Sequence, residues 1–473
     1  MKVHPVYLGG EWIRTASTVR VINPATTEPL AEVCTVTQAD VANAIEHAHA
    51  ALPAWRALTG KARGEYLRRI AAALEPRADE IARTITLENG KPLAQSAAEV
   101  AMSIDHLRWF AEEARRTYGR IVPHQVDGKR HLVVKTPIGV VGAISPWNFP
   151  LVLAVRKMAP ALAAGCPVVL KPASATPLSV VALAECVDAA GLPRGVFQFV
   201  LGRASEIAAE FLENPRVRKI SFTGSTEVGR ELIRGAAPHV KPLSLELGGL
   251  APVLVFADAD LTRAVEGTAI AKFRNTGQSC IAANRIYVQR AIYAEFLEKF
   301  VAHVRGLKIG DGLEAGVQIG PLVNEEGLNK ALEHIADAKR RGARVLAGGE
   351  RVARRGWFLE PTVLADVPAD AACMHEETFA PVAAIRAFDT EEEAIALANA
   401  EPFGLSAYAF TRDLGRSFRL MENIESGMLG LNDGVPTATQ APFGGVKQSG
   451  WGRELGSEGI EAFLETKHVS IGL

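Results

Sequence analysis

Apolar residues recur every three or four positions in two stretches near the N-terminus: Val41, Ile45, Ala48 and Leu52, then Leu67, Ile70, Leu74, Ala78, Ile81 and Ile85. That period lays an apolar stripe along a helix, so the spacing predicts amphipathic helices packed on a core. Asn89-Gly90-Lys91-Pro92 ends the block, because glycine accepts the left-handed backbone of a helix end and proline does not continue a helix. From Val140 to Phe256 the pattern changes. Short β-rich runs, Val140 to Ile144, Val168 to Leu170, Val196 to Val200 and Lys219 to Thr223, alternate with helical stretches. This alternation predicts a parallel sheet covered by helices, the doubly wound α/β arrangement.

A second α/β pattern follows Gly248-Gly249 and runs to about Gly434. The expected division is a dinucleotide-binding domain over 1–119 and 138–247, a catalytic domain over 248–434, and a segment 435–454 on the substrate side that returns to the first domain. Asp127-Gly128 lies between strand-like flanks from Arg120 to Thr136, and Phe463 to Ile471 reads as another strand. Segments 120–137 and 455–473 are therefore expected to form a β arm. Open strand edges invite pairing, which favours a homodimer or homotetramer.

Composition narrows the function. With 473 residues, 48% hydrophobic and a formal net charge of -1, the chain has ample core and no bulk attraction to nucleic acid or acidic membranes. The N-terminal Met-Lys-Val-His-Pro-Val-Tyr lacks the apolar core of a signal peptide, and no run reaches transmembrane length, so a cytoplasmic location is expected. The cysteines Cys34, Cys166, Cys186, Cys280 and Cys373 are far apart, with neither Cys-x-x-Cys nor a His-rich cluster, so neither disulfides nor metal is indicated.

Three motifs carry candidate chemistry. Phe273 to Cys280, Phe-Arg-Asn-Thr-Gly-Gln-Ser-Cys, presents Cys280 in a turn after an apolar helix, where a thiolate can act as nucleophile. Ser145 to Pro150, Ser-Pro-Trp-Asn-Phe-Pro, ends a strand and opens a helix; Asn148 is either a neutral oxyanion donor or a helix-entry residue. Glu246 lies in the apolar run Leu245 to Gly249 and is either a general base raised by burial or a member of a structural ion pair.

With these motifs in this order, the chain resembles the aldehyde dehydrogenase superfamily over almost its whole length, closest to the succinic semialdehyde dehydrogenase branch. The resemblance implies a Rossmann-type cofactor domain, an α/β catalytic domain and a small β oligomerisation element. It implies that Cys280 attacks an aldehyde, that the Asn148 amide and the Cys280 N–H hold the oxyanion, and that Glu246 activates water to hydrolyse the thioester. Retention of Glu246 argues against a coenzyme A-acylating enzyme. Ala282 stands where animal relatives carry a second, redox-active cysteine, so that switch should be absent.

The cofactor contacts implied are Pro146, Trp147, Lys171, Ser174, Gly224, Ser225, Leu247, Glu377 and Phe379. Lys171 would bond the adenosine ribose. Ser174 replaces the glutamate with which NAD-preferring relatives repel a 2′-phosphate, so NADP is slightly favoured over NAD. Ala380 follows Phe379 where glycine is common.

Arg156 lies in the apolar helix from Leu151 to Ala164, and Arg274 lies six residues before Cys280. Either internal carboxylates balance these cations, or a ligand does. In the succinic semialdehyde branch, arginines at both places hold the distal carboxylate of the substrate, and a serine assists where this chain has Thr437. The expected substrate is a small aldehyde with a distal carboxylate, most simply succinate semialdehyde. Glutarate semialdehyde, 2-oxoglutarate semialdehyde, sulfonated aldehydes and a general aldehyde dehydrogenase are the alternatives, with a catalytically silent cofactor-binding protein as the reading from another class.

Overall fold

The β-rich runs of the first half become the parallel strands Val140–Ile144, Val168–Lys171, Phe197–Phe199, Val217–Thr223 and Leu243–Glu246 in a computed structural model that describes residues 1–473. Helices bury both faces of this sheet, which is why Val140, Val141, Val168, Val169 and Leu170 are inaccessible and the strands read as apolar runs. Across the sheet the order is 243–246, 217–223, 140–144, 168–171, 197–199. The chain thus fills one side of Val140–Ile144, then returns to fill the other. The loops leaving Val140–Ile144 and Val217–Thr223 flank this switch point, where open α/β sheets bind ligands. Antiparallel strands extend both edges: Val6–Leu8 with Glu11–Ile13 on one, Gly450–Trp451 on the other.

The second α/β pattern forms a seven-stranded sheet with Ala283–Gln289 and Ala251–Val255 near its centre and Met428–Leu431 on one edge. The third sheet joins Leu464–Gly472, Lys129–Pro137 and Arg120–Val122, all antiparallel. Helices Gln38–Ala57, Gly60–Leu74 and Ala78–Asn89 bury the apolar stripe read from the sequence, and the last ends at Gly90 with φ 92°. No helix is long and apolar enough to cross a membrane.

The structure differs from the sequence reading in three places. The N-terminal segment contains a separate small sheet of Val3–His4, Glu28–Cys34 and Thr18–Asn23 as well as the two strands that join the first large sheet. Only Leu464–Gly472 belongs to the C-terminal arm strand, because Leu455, Ile460 and Phe463 are buried in the first core. Residues 435–454 include Val446–Lys447 and Gly450–Trp451, which pair with Phe403–Gly404 and with Leu243–Glu246 respectively. This segment therefore adds an edge strand to the first large sheet and forms a separate two-stranded sheet with Phe403–Gly404.

Candidate active site

Cys280 lies between the sheets, just before strand Ala283–Gln289. Its turn is strained, since Asn275 (φ 51°) and Thr276 (φ 56°) precede Gly277 in left-handed backbone, a conformation costly for a β-branched residue. Surrounding bonds hold the turn. Asn275 Nδ2 donates to the Asn148 carbonyl at 2.8 Å and to the Gln278 carbonyl at 2.9 Å, while Thr276 Oγ1 accepts the Gly320 N–H at 3.0 Å. Gly277 is needed because a Cβ would meet the Ala380 carbonyl at 2.2 Å. Ala380 itself is fully buried.

The nucleophile turn leaves the Cys280 N–H without a protein acceptor. Asn148, 4% exposed, directs Nδ2 to the Gln278 carbonyl at 3.2 Å. One of its two amide hydrogens therefore fixes the side chain against the nucleophile turn and leaves the other for a ligand oxygen. Pro150 opens the next helix, Pro150–Ala164.

Glu246 ends strand Leu243–Glu246, with its backbone paired to Thr223 and Gly450. Its Oε2 has no hydrogen-bond partner, and Gly444 lies so close that a Cβ there would be 2.8 Å from Oε1. Burial, reinforced by the Glu454 carboxylate, holds the Glu246 carboxyl well above the ordinary carboxylate range. Lys157 donates to Glu454 at 2.8 Å and to Thr223 at 2.7 Å, making the only ion pair of this cluster. Burial and the charges of Glu246 and Glu377 push the Cys280 thiol up to about 12, against the pull of Arg156. Cys280 is thus held as a thiol at rest, and any chemistry at its sulfur needs a base to take the proton.

Cys280, Arg156, Arg274 and Thr437 share a narrow cleft with Phe149, Phe443 and smaller apolar side chains. Arg156 and Arg274 make neither an ion pair nor a hydrogen bond. Arg156 Cζ stacks 4.5 Å from the Phe443 centroid with Nε unpartnered, and Arg274 Cζ lies 5.4 Å from the Phe149 centroid. The buried His106 near Arg156 is itself held neutral by burial and by that cation, so it offers no counter-charge. Neither arginine is within ion-pair distance of an internal carboxylate, although Glu99 attracts Arg274 and Glu246 attracts Arg156 through space.

The remaining predicted residues lie on the other side of Cys280. Pro146 and Trp147 leave strand Val140–Ile144 at the switch point, and Gly224 and Ser225 follow Val217–Thr223 into the helix Thr226–Ala236. Leu247 packs behind that helix, where a Cβ on Gly229 would strike it at 2.6 Å. The Trp147 and Phe379 rings meet edge to face at 5.4 Å, and a Cβ on Gly248 would come within 3.0 Å of Glu377 Oε2. Lys171 ends its strand 6% exposed, with the Pro172 carbonyl as the only acceptor for Nζ, and Ser174 follows on a half-buried turn. A buried ammonium with two unused hydrogens fits a dinucleotide ribose or phosphate. Burial lowers Lys171 to about 8. No group of three or more His, Cys, Asp and Glu side chains is arranged to hold a metal ion, and all five cysteines are free.

Residues 12–469 match the model of the aldehyde dehydrogenase family. The chain belongs to the aldehyde dehydrogenase family. It is 50% identical to the glutarate-semialdehyde dehydrogenase of Pseudomonas aeruginosa over 98% of this chain and 97% of that one. It is also 50% identical to the NADP-dependent succinate-semialdehyde dehydrogenase of Escherichia coli, again over 98% and 97%. A crystal structure of an NADP-dependent enzyme from E. coli superposes with a TM-score of 0.99 at 49% identity, covering 100% of this chain and 98% of that one. As an aldehyde dehydrogenase the protein is an oxidoreductase, and the family relation covers both large sheets and the β arm.

Sequence reasoning missed several side chains of this aldehyde dehydrogenase site. Phe149 and Phe443 form its aromatic walls, Asn275 and Gln278 orient Asn148, and Lys157 and Glu454 surround Glu246. Asn275 and Gln278 stand inside the nucleophile motif. Phe149 adjoins Asn148. Position within a motif was their only signal.

Proposed function

We propose that the chain is a cytoplasmic, non-acylating NAD(P)-dependent dehydrogenase that oxidises a short ω-semialdehyde acid to the dicarboxylate, with succinate semialdehyde as substrate and NADP slightly favoured. The observation that carries this reading is the pair of unpartnered guanidinium groups, Arg156 and Arg274, in one cleft with Cys280. A distal carboxylate satisfies both, with Thr437 as a hydroxyl donor beside them. Charge-assisted hydrogen bonds of about 1.5–3 kcal/mol each favour the anionic aldehyde over a neutral one by roughly a hundredfold or more.

In this reading Glu246 takes the Cys280 proton as sulfur bonds to the aldehyde carbon. The new oxyanion receives hydrogen bonds from the free Asn148 amide hydrogen and the Cys280 N–H. Lys171, Ser225 and Glu377 at the switch point would hold the dinucleotide, which would supply an acceptor for hydride. Loss of hydride from the thiohemiacetal leaves a thioester on Cys280. Glu246 gives its first proton to solvent, then deprotonates water, whose oxygen attacks the thioester carbon. Collapse breaks the C–S bond and releases the carboxylic acid and the thiolate. Burial raises the Glu246 carboxyl above the ordinary carboxylate range and so makes it a stronger proton acceptor for both transfers.

Glutarate semialdehyde is a second reading, favoured by the relative of that name at the same 50% identity. One methylene changes discrimination by only about 1–3 kcal/mol, so the two substrates compete for the same clamp. Steady-state kcat/KM for both semialdehydes and for hexanal tests the clamp. Preference for the acids by about a hundredfold supports it, and parity with hexanal rejects it. Because Glu246 serves as base in both steps, Glu246→Gln should lose aldehyde-dependent reduction of NADP, and intact-mass measurement with substrate and NADP should show Cys280 largely unacylated. A fully active Glu246→Gln enzyme would remove the proposed base, and absence of any aldehyde-dependent reduction in the native protein would favour a silent cofactor-binding role.

Open edges on Arg120–Val122 and Met428–Leu431, with Tyr118 73% and Ile121 77% exposed, support a homodimer or homotetramer built through the β arm. Sedimentation velocity should give a mass at least twice that of one chain.

A further inference from the structure

Lys91, which the sequence marks only as part of a helix end, is completely buried. Its Nζ donates to Glu99 Oε2 at 2.6 Å and to the backbone carbonyl of Asn148 at 2.7 Å. Glu99, 1% exposed, uses its other oxygen to accept the N–H groups of Leu151 at 3.0 Å and Val152 at 3.2 Å, in the first turn of the helix after Asn148. One ion pair therefore clamps the Asn148 turn from both sides. The same Asn148 carbonyl accepts Asn275 Nδ2 of the nucleophile turn. The pair also reaches the substrate cleft, since Lys91 Nζ lies 3.9 Å from the centroid of Phe149, whose ring faces Arg274.

A buried ion pair is weak evidence of a stability device, because desolvation of both charges offsets much of their attraction. Here the pair is directed at two active-site turns. A hydrogen-bond donor for a developing oxyanion works only if held in place before the charge forms, and that demands support from groups that do not touch the substrate.

We propose that Lys91 and Glu99 form a positioning pair that fixes the Asn148 amide relative to Cys280. The inference rests on the reading of Asn148 as an oxyanion donor. Lys91 locates the turn through its carbonyl, Glu99 locates it through the following helix, and Asn275 transmits the position to the nucleophile turn. Neither charged group is open to solvent or substrate.

The test is a cycle of Lys91→Met, Asn148→Ala and the double variant, with Glu99→Gln as a variant that keeps the acceptors for Leu151 and Val152. Two rates are read: kcat for succinate semialdehyde with NADP, and alkylation of Cys280 by iodoacetamide, which forms no oxyanion. Loss of outer support around an active group costs about 10- to 100-fold. Lys91→Met should lower kcat by about that factor, change alkylation by less than about threefold, and add less than about threefold in the Asn148→Ala background. Glu99→Gln should move kcat in the same direction and carries the test if Lys91→Met does not fold. Equal losses from Lys91→Met with and without Asn148, a parallel loss of alkylation, or wild-type kcat in both Lys91→Met and Glu99→Gln would overturn the inference. Wild-type kcat in Asn148→Ala would instead overturn the catalytic reading of that residue, and this inference with it.

Discussion

Arg285 and Arg156 are both buried, 2% and 6% exposed, yet their surroundings are opposite. Arg285, in the core of the second sheet, donates to the carbonyls of Leu250, Leu397 and Ala398 at 2.9–3.0 Å. Arg156, beside Cys280, has an aromatic ring and an unpartnered Nε, and Arg274 across the cleft also lacks a polar partner. Burial alone therefore does not distinguish a structural cation from a functional one. Satisfaction does. An arginine whose three nitrogens each donate to a carbonyl holds the fold together, whereas arginines left open beside Cys280 are held by the fold for something else.

The largest effect expected from this contrast is on stability. Arg285→Ala leaves three carbonyls without their donor, which costs on the order of 3 kcal/mol or more, so urea unfolding should shift to lower concentration. Arg274→Met should do the reverse: unfolding within about 1 kcal/mol of wild type, with kcat/KM for succinate semialdehyde lower by roughly a hundredfold. A large stability loss in Arg274→Met would remove the contrast.

The next effect sharpens the comparison on the cofactor side, where Lys171 is another buried and under-satisfied cation. Burial depresses it to about 8, so its charge is present below that pH and lost above it. Affinity for NADP should fall as pH rises through about 8, more steeply than affinity for NAD, which lacks the 2′-phosphate; fluorescence titration of both cofactors checks this. Lys171→Met should flatten the difference. The smallest effect belongs to Thr437→Val, which deletes one hydroxyl and should lower kcat/KM for the semialdehyde by about 3- to 30-fold.

Much of this was legible in the chain, for reasons that differ by region. The strands Val140–Ile144 and Val168–Lys171 stand out because both of their faces are covered, which turns burial into a nearly continuous apolar run. Cys280, Asn148 and Glu246 stand out because each is chemically unusual in its local context. The helix Leu93–Glu113 does not, since its buried face includes Ser96, Glu99, Ser103 and His106, which break the apolar period, and Glu99 finds its partners outside the helix. Lys91 was hidden for the same reason: its meaning depends on a carbonyl 57 residues away. Strand Gly450–Trp451 is too short to show a period at all.

The most direct test of the central claim crosses substrate charge with the arginine. We would measure kcat/KM of wild type and Arg274→Met on succinate semialdehyde and on a neutral aldehyde of the same length. If the open guanidinium groups hold a carboxylate, the substitution costs roughly a hundredfold on the acid and less than about threefold on the neutral aldehyde. Equal losses on both substrates would show that Arg274 supports the site without reading the charge, and would contradict the account.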